Sequence, residues 1–253
     1  MVCPKCGYQN PPNRQDCIRC GVIFAKIRNQ EISPAQSPAQ EVSADLPDRD
    51  SSLRNLLLSC PDEANLLLFT GRGLVLLGMI VWGSKLIFVS IASNASGESW
   101  LHLVNLPFHE AGHVIFRPFG QFIASLGGTL GQLLVPLVCM ATLLLKTRDP
   151  FGTAVCFWWL GENFLDIAPY IDDARAGQLP LMGGNFGHSA PYGFHDWEFL
   201  LTETGLLSYD HMLARVSHGV GSLAITLSIA WAGYLLYRQF PRRQEGRNQK
   251  TGR

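Results

Sequence analysis

The distribution of apolar and polar residues separates the chain into a polar first quarter and a long apolar remainder. Between about residue 65 and about residue 240, apolar residues dominate and charged residues are scarce. A helix that crosses a bilayer needs about 20 consecutive, mainly apolar residues. Four runs have this length and predict full crossings: 73–93, 122–145, 151–171 and 219–237.

A fifth apolar stretch, 101–117, is expected to enter the membrane without crossing it. Pro107 is expected to start its helix, because proline is tolerated in a first turn, and Pro118 is expected to end it. About eleven helical residues would remain, and they span only about 16 Å at about 1.5 Å each. The stretch also carries several polar residues, namely His102, His109, Glu110, His113 and Arg117.

Composition and charge support a membrane protein. Apolar residues make up 47% of the chain and charged residues only 16%, whereas ordinary soluble domains carry about 25% charged residues. Lys146 and Arg148 lie between two predicted crossings, and a basic tail at 241–253 follows the last one. Basic segments stay in the cytoplasm, and the N-terminal cysteines are expected there too, because their thiolates need reducing conditions or metal. Four crossings place all three segments in the cytoplasm, whereas five would export the tail. We therefore predict an all-α polytopic membrane protein with about four to five membrane helices.

Two matching cysteine pairs form an N-terminal module at residues 1–28. Cys3 and Cys6 make the first pair, Cys17 and Cys20 make the second, and a glycine follows each pair. A two-residue gap lets both sulfurs of a pair face one ion, and four thiolates close the tetrahedral shell of zinc. The module resembles the zinc-ribbon family, so the fold class includes a small zinc-ribbon domain whose zinc is structural.

The other boundaries follow from composition. Residues 29–64 are expected to form a flexible linker, because Pro, Ala, Gln, Ser and acidic residues bury too little apolar area to offset the cost of ordering. A membrane-embedded domain is expected at 65–240, followed by a basic cytoplasmic tail at 241–253. The module is basic, but its pattern favours a protein interaction or regulatory role over nucleic-acid binding.

The sequence His109-Glu110-Ala111-Gly112-His113 is the main candidate for chemistry. Histidines four residues apart share a helix face, with Cβ atoms about 6 Å apart, which suits two imidazoles on one zinc ion. The glutamate beside the first histidine can take a proton from water at the metal. Ionisable groups in an apolar region are costly unless they are paired or bound to metal, so the setting favours a functional site.

This motif resembles the intramembrane zinc metallopeptidases of the site-2 protease type, the M50 peptidases, over about residues 100–175. Gly120 and the glycine-rich segment from Gly127 to Gln132 match that family loosely. The later element from Asn163 to Asp173 carries Asn, Pro and Asp in the family's order but lacks its Leu-Asp-Gly. The wider pattern resembles a bacterial M50-like branch.

The resemblance implies that an aspartate is the third zinc ligand. Asp173 is the preferred candidate, and Asp172 and Asp166 are the alternatives. Asp196 is expected to be the N-cap of a helix that begins at Trp197. Three further residues could orient ligands or carry protons as accessory groups: Glu162, Asn163 and His195.

These features predict a zinc metalloendopeptidase that hydrolyses peptide bonds of membrane-associated proteins, with Glu110 activating water. The expected cofactors are one structural and one catalytic Zn²⁺ ion. The expected partners are membrane lipid, a membrane-protein substrate and a protein bound by the ribbon. The resemblance implies the bacterial inner membrane, with ribbon and tail in the cytoplasm. Because Leu-Asp-Gly is missing, the alternative is a non-proteolytic metal-binding membrane protein that acts as a sensor or scaffold.

Overall fold

Contacts between Cα atoms divide the chain into two units, Met1–Leu46 and Pro47–Arg253. The computed structural model describes residues 2, 3, 8–11, 15–19, 23, 24, 49–59, 66–182 and 184–251. Cys6 and Cys20 lie outside these residues. The four-cysteine zinc site therefore stays a prediction.

The described part of the first unit contains buried cysteines and short backbone pairings. Cys3 and Cys17 are both 1% exposed. The backbone N–H of Cys3 donates to the carbonyl oxygen of Tyr8 at 2.9 Å. Two antiparallel bridges accompany these residues: Val2 pairs with Gln9, and Asp16 pairs with Ile23.

The second unit is mostly helical, and no strand occurs among its described residues. Its α-helices are α1 (Arg49–Leu58), α2 (Leu66–Phe88), α3 (Trp100–Phe116), α4 (Gln121–Thr142), α5 (Pro150–Asp172), α6 (Asp196–Glu203) and α7 (Asp210–Thr251). Short 3₁₀ turns occupy Ile91–Ser93, Arg117–Phe119, Gly187–Ser189 and Leu207–Tyr209, and a π-turn at Leu143–Thr147 continues α4.

Three described segments are long and apolar enough to cross a membrane. They are Leu66–Phe88, Gln121–Thr147 and Leu207–Phe240. Each overlaps one of the runs predicted from the sequence. The predicted run 151–171 also forms a helix, α5, but α5 does not belong to this group. Its hydropathy is lowered by carboxylates that lie inside the bundle.

Helix α5 lies at the centre of the second unit and packs most extensively against α7. Fourteen of its 23 residues are buried. The indole N–H of Trp158 donates to the carbonyl oxygen of Met79 at 3.1 Å and ties α5 to α2. Leu165 of α5 and Ile225 of α7 are both 0% exposed. A helix buried on nearly every side must pair its polar side chains internally.

The start of α3 differs from the prediction. The helix begins at Trp100, and Pro107 lies inside it rather than at its first turn. Seventeen residues give a length of about 25 Å. An internal proline removes one backbone hydrogen bond, and packing along α4 offsets that loss, because tertiary contacts supply most of a helix's stability.

Part of the range 29–64, predicted to be a flexible linker, is helical. α1 occupies Arg49–Leu58, and two side chains of α7 bind its last turn. The indole N–H of Trp231 donates to the carbonyl oxygen of Leu57 at 3.0 Å. Arg238 Nη1 donates to the carbonyl oxygen of Leu58 at 3.1 Å. These bonds satisfy helix-end carbonyls that a polar linker would leave to water.

Candidate metal centre

Two imidazoles and one carboxylate converge inside the second unit. His109 and His113 lie one turn apart on α3, with ring centroids separated by 4.7 Å. Both Nε2 atoms lie 3.3 Å from Oδ2 of Asp196, the first residue of α6. Among the residues that the structure describes, these three form a group whose ligand atoms all lie within 4.8 Å of one another.

The spacing of these atoms fits zinc. Ligand atoms bound about 2.0–2.1 Å from a tetrahedral zinc ion are roughly 3.3–3.4 Å apart. The two separations of 3.3 Å between Nε2 atoms and Oδ2 match this value. Two imidazole nitrogens and one carboxylate oxygen are also a donor set that zinc accepts at catalytic sites. The three side chains therefore fit a zinc site with one position left open.

The outer nitrogen of each imidazole is held by α4. His109 Nδ1 lies 2.9 Å from Oε1 of Gln132, and His113 Nδ1 lies 2.8 Å from the carbonyl oxygen of Ala124. Both partners are acceptors, so each Nδ1 donates its proton. Each Nε2 donates to Asp196 when its imidazole is protonated, and it presents a lone pair when the imidazole is neutral, the form that binds a metal. Outer partners of this kind fix the orientation of metal-binding histidines.

The charge of the Asp196 carboxyl group suits a metal ligand. Burial alone would raise the pKa of its carboxyl group, but hydrogen bonds from His109 and His113 hold the pKa below its ordinary value. Tyr170 also contacts it, because its hydroxyl donates to Asp196 Oδ2 at 3.4 Å and accepts from the Asp196 backbone N–H at 3.0 Å. The carboxyl group is therefore ionised and anchored, the form in which it binds a metal.

Glu110 opens onto the same cavity as the histidines. This cavity has a volume of about 880 Å³ and is lined by Glu110, both histidines, Tyr170 and Asp196. Glu110 is half-buried and lies next to His109 along α3. Water inside the cavity can therefore reach the glutamate and the metal-binding atoms together.

At Asp196 the structure differs from two predictions. The N-cap of α6 is His195, whose Nδ1 accepts from the backbone N–H of Glu198 at 3.2 Å, so α6 begins at Asp196 rather than at Trp197. The Asp196 side chain is therefore free of capping and points to the histidines. Asp196, rather than the predicted Asp173, supplies the carboxylate of the group.

The aspartates predicted as third ligand have other partners. Asp173 follows the last residue of α5, and its two oxygens accept backbone N–H groups of Gln178 and Leu179, each at 2.8 Å. Asp172 Oδ1 lies 2.6 Å from His211 Nδ1. Asp166 Oδ1 faces His102 Nδ1 at 3.0 Å. The structure does not bring Asp173, Asp172 or Asp166 to the histidine pair, because the first two terminate α5 and the third turns into the bundle.

A buried polar network extends from the metal centre to carboxylates of α5. Gln132 bridges the two, since its Nε2 donates to Asp166 Oδ2 at 3.4 Å while its Oε1 faces His109. Asn105 Nδ2 donates to Glu162 Oε2 at 2.9 Å and to Asp166 Oδ2 at 3.2 Å. Glu162 is 0% exposed. These carboxylates lie behind His109 and orient the residues that hold it.

The remaining accessory candidates have structural contacts. Asn163 Nδ2 donates to a carbonyl oxygen of its own helix at 2.9 Å. His195 caps α6, and its ring stacks on Tyr170 with centroids 4.3 Å apart. Sequence reasoning did not assign Gln132, Tyr170 or Asp196 to the metal centre, although Asp196 directly follows the accessory candidate His195.

Gly128 permits the imidazoles to occupy their positions. A Cβ atom added there would lie 2.5 Å from His109 Nε2 and 2.6 Å from His113 Nε2. The two helices approach closely here, because a Cβ atom added at Gly112 of α3 would overlap the carbonyl oxygen of Gly127 in α4. The glycine-rich segment of α4 thus serves both close helix packing and space for the metal-binding atoms.

Gly128→Ala is expected to displace both imidazoles and weaken zinc binding at this centre by about 100-fold, the size of effect seen when ligand orientation is lost. The fold should persist, since alanine favours helices and side-chain ends can move. Competition with a zinc chelator measures the affinity. Gly78→Ala is the matched control, because no atom lies within 4 Å of its added methyl group. Equal zinc affinity in both variants would contradict this arrangement.

Comparisons with known proteins give no match among family models, curated proteins or solved structures. The function is therefore inferred from the motif and from the geometry of the candidate metal centre.

Proposed function

We propose that the protein is a membrane-embedded zinc metallopeptidase that hydrolyses peptide bonds of membrane-associated proteins. One observation carries the proposal: the Nε2 atoms of His109 and His113 and the carboxylate of Asp196 converge, while acceptors outside hold both Nδ1 protons. When both imidazoles are neutral, their Nε2 lone pairs and the carboxylate repel one another at this separation unless a positive charge lies between them. A divalent cation supplies that charge.

The residues of the centre divide the chemical work. When bound, zinc supplies Lewis acidity, which lowers the pKa of water and polarises a carbonyl group. Glu110 lines the same cavity; it removes a proton from the attacking water and delivers it to the amine nitrogen as the C–N bond breaks. Three protein ligands leave a fourth position open for water or substrate.

The depth of the centre in the membrane determines which part of a substrate it would cleave. In this proposal α5 is the fourth crossing beside the three apolar spans, and the end that carries Lys146 and Arg148 faces the cytoplasm of a bacterial inner membrane. Ala124 and Gln132 hold the histidines from the opposite half of that span. Cleavage therefore takes place in the half of the bilayer away from the cytoplasm, on a substrate helix that has locally unwound.

The N-terminal cysteine module completes the proposal. As a zinc ribbon, it holds a structural zinc with Cys3, Cys6, Cys17 and Cys20. Its closed shell leaves no position for catalysis. The ribbon would recruit a protein partner or control access of substrates, on the cytoplasmic side of the membrane.

Metal removal tests this function. The full-length protein in lipid vesicles is expected to cleave membrane-spanning test peptides, to lose at least about 100-fold of that activity with a zinc chelator, and to recover it with added zinc. Mass spectrometry identifies the products. A His109→Ala variant, which keeps the ribbon cysteines, should not recover. Cleavage that survives chelation would contradict the proposal, and zinc binding without cleavage would favour the sensor or scaffold.

A further inference from the structure

A second cavity lies at the other end of α4 from the metal centre. Its volume is about 780 Å³, and it lies between α1, the π-turn after α4, and the first turn of α5. Gln132 holds His109, whereas Leu145 on the same continuous span lines this cavity. Roughly 20 Å of helix separates the two residues. The second cavity is therefore distinct from the proposed active site.

Two arginines give this cavity a positive balance. Arg72 and Arg148 line it, and Asp149 is the acidic group among its lining residues. Arg72 Nη2 pairs with Asp149 Oδ1 at 3.1 Å, and Arg72 Nη1 donates to Oε1 of Gln239 at 3.3 Å. Arg148 is exposed and adopts a left-handed backbone with φ 51°. One pair neutralises Asp149, so the charge of Arg148 remains available to a ligand.

A buried polar atom that lines this cavity, and another on a residue that Arg72 contacts, lack partners within the described parts of the chain. The hydroxyl oxygen of Ser59, which lines the cavity, is buried and makes no hydrogen bond there. Beside Arg72, the amide nitrogen of Gln239 is buried and likewise unpaired. Buried polar groups are almost always hydrogen-bonded. An oxygen-rich ligand could accept bonds from the hydroxyl and the arginines together.

Most of the remaining lining residues are apolar. Leu56, Leu145, Phe151 and Leu235 face the cavity, and the guanidinium carbon of Arg72 lies 5.1 Å from the centroid of the Phe151 ring. Leu145 is 65% exposed at the outer surface of the bundle. The cavity therefore offers charged and hydroxyl groups together with an apolar wall, which suits an amphipathic ligand.

We propose that this cavity binds a phosphate-bearing anion, the chemistry shared by phospholipid headgroups and free phosphate. Arginine is well suited to phosphate, because its planar N–H groups match phosphate oxygens. Lys146 and Arg148 place the cavity at the basic end of the bundle, where anionic lipid headgroups collect. The apolar wall favours the headgroup of a phospholipid, whose acyl chains would lie along Leu145.

Thermal unfolding of the full-length protein in zwitterionic micelles tests the proposal. Phosphatidylglycerol at about 100 times its dissociation constant is expected to raise the Tm by roughly 5 °C, and extra phosphatidylcholine should not raise it. A shift with phosphatidylglycerol alone assigns the site to a headgroup, and an equal shift with inorganic phosphate assigns it to the soluble anion. No shift with either compound overturns the proposal.

Two variants localise the binding. Arg148→Gln removes an exposed charge and should weaken binding about fivefold, and Ser59→Ala should weaken it in the same direction. Lys85→Gln is the matched control, since Lys85 is exposed in the last turn of α2, at the other end of the bundle. Wild-type affinity in both cavity variants would overturn the proposal. Zinc content and peptide cleavage should not change, so this outcome is independent of the proposed peptidase activity.

Discussion

Glu110→Gln is expected to reduce peptide cleavage by at least about 1000-fold while zinc remains bound. A general base contributes about 10²–10⁴-fold to a rate, and an amide has nearly the shape of the carboxylate but cannot take the proton from water. Glu110 lines the cavity with His109 and His113 but does not belong to the group of converging ligand atoms. Metal content should therefore be unaffected by the change.

The measurement combines cleavage rate with zinc per chain in the same vesicle preparation. Glu98→Gln is the matched control. Glu98 is an exposed carboxylate just before α3, so this substitution makes the same chemical change at a residue that does not line the cavity. It should cleave at the wild-type rate. Substantial cleavage by Glu110→Gln would show that another group activates water. Loss of zinc from the same variant would indicate that Glu110 is a zinc ligand.

Asp196→Ala is expected to remove one of two zinc ions from the full-length protein. The carboxylate oxygen that faces both Nε2 atoms would disappear, and two neighbouring imidazoles alone hold zinc weakly. We expect the affinity to fall by more than about 100-fold, since loss of outer partners already costs about 10–100-fold. Zinc analysis after dialysis should give two ions in wild type and one in the variant, the ribbon ion serving as an internal reference.

Asp173→Ala tests whether the third ligand is Asp196 or Asp173, the residue preferred from the sequence. Asp173 accepts two backbone N–H groups after α5, so its loss should lower the free energy of unfolding by about 1–3 kcal/mol. Both zinc ions should stay bound. One ion in Asp173→Ala together with two in Asp196→Ala would reverse the assignment. A single ion in wild type would exclude the second metal site.

The histidine pair was predictable because its geometry is local. Residues four apart on a helix share a face whatever the rest of the fold does, so His109 and His113 could be paired from sequence. The helical character and the apolar spans were predictable for the same reason, since length and hydropathy decide them. These features need no knowledge of how the helices pack.

The third member of the group, a carboxylate, depends on packing that no local pattern encodes. Asp196 reaches the histidines because α6 begins one residue earlier than expected, with His195 as its cap. Asp173 was the preferred candidate instead, but its carboxylate accepts backbone N–H groups of the turn that follows α5. The same limitation explains α3, which continues through Pro107 because α4 supports it. The His-Asp-Trp sequence at 195–197 places a carboxylate beside a histidine, a pattern that fits a metal ligand as well as the N-cap predicted for Asp196.

The two imidazoles differ in whether a point mutation can replace the group that accepts their Nδ1 proton. Gln132 orients His109 with a side chain, whereas Ala124 orients His113 with a main-chain carbonyl oxygen. No substitution removes a carbonyl group, so His113 keeps its acceptor in nearly any variant that folds. Adjustment of ligand basicity, by natural variation or by protein engineering, is therefore confined to the His109 side. A library at position 132 would explore metal selectivity without endangering the second histidine.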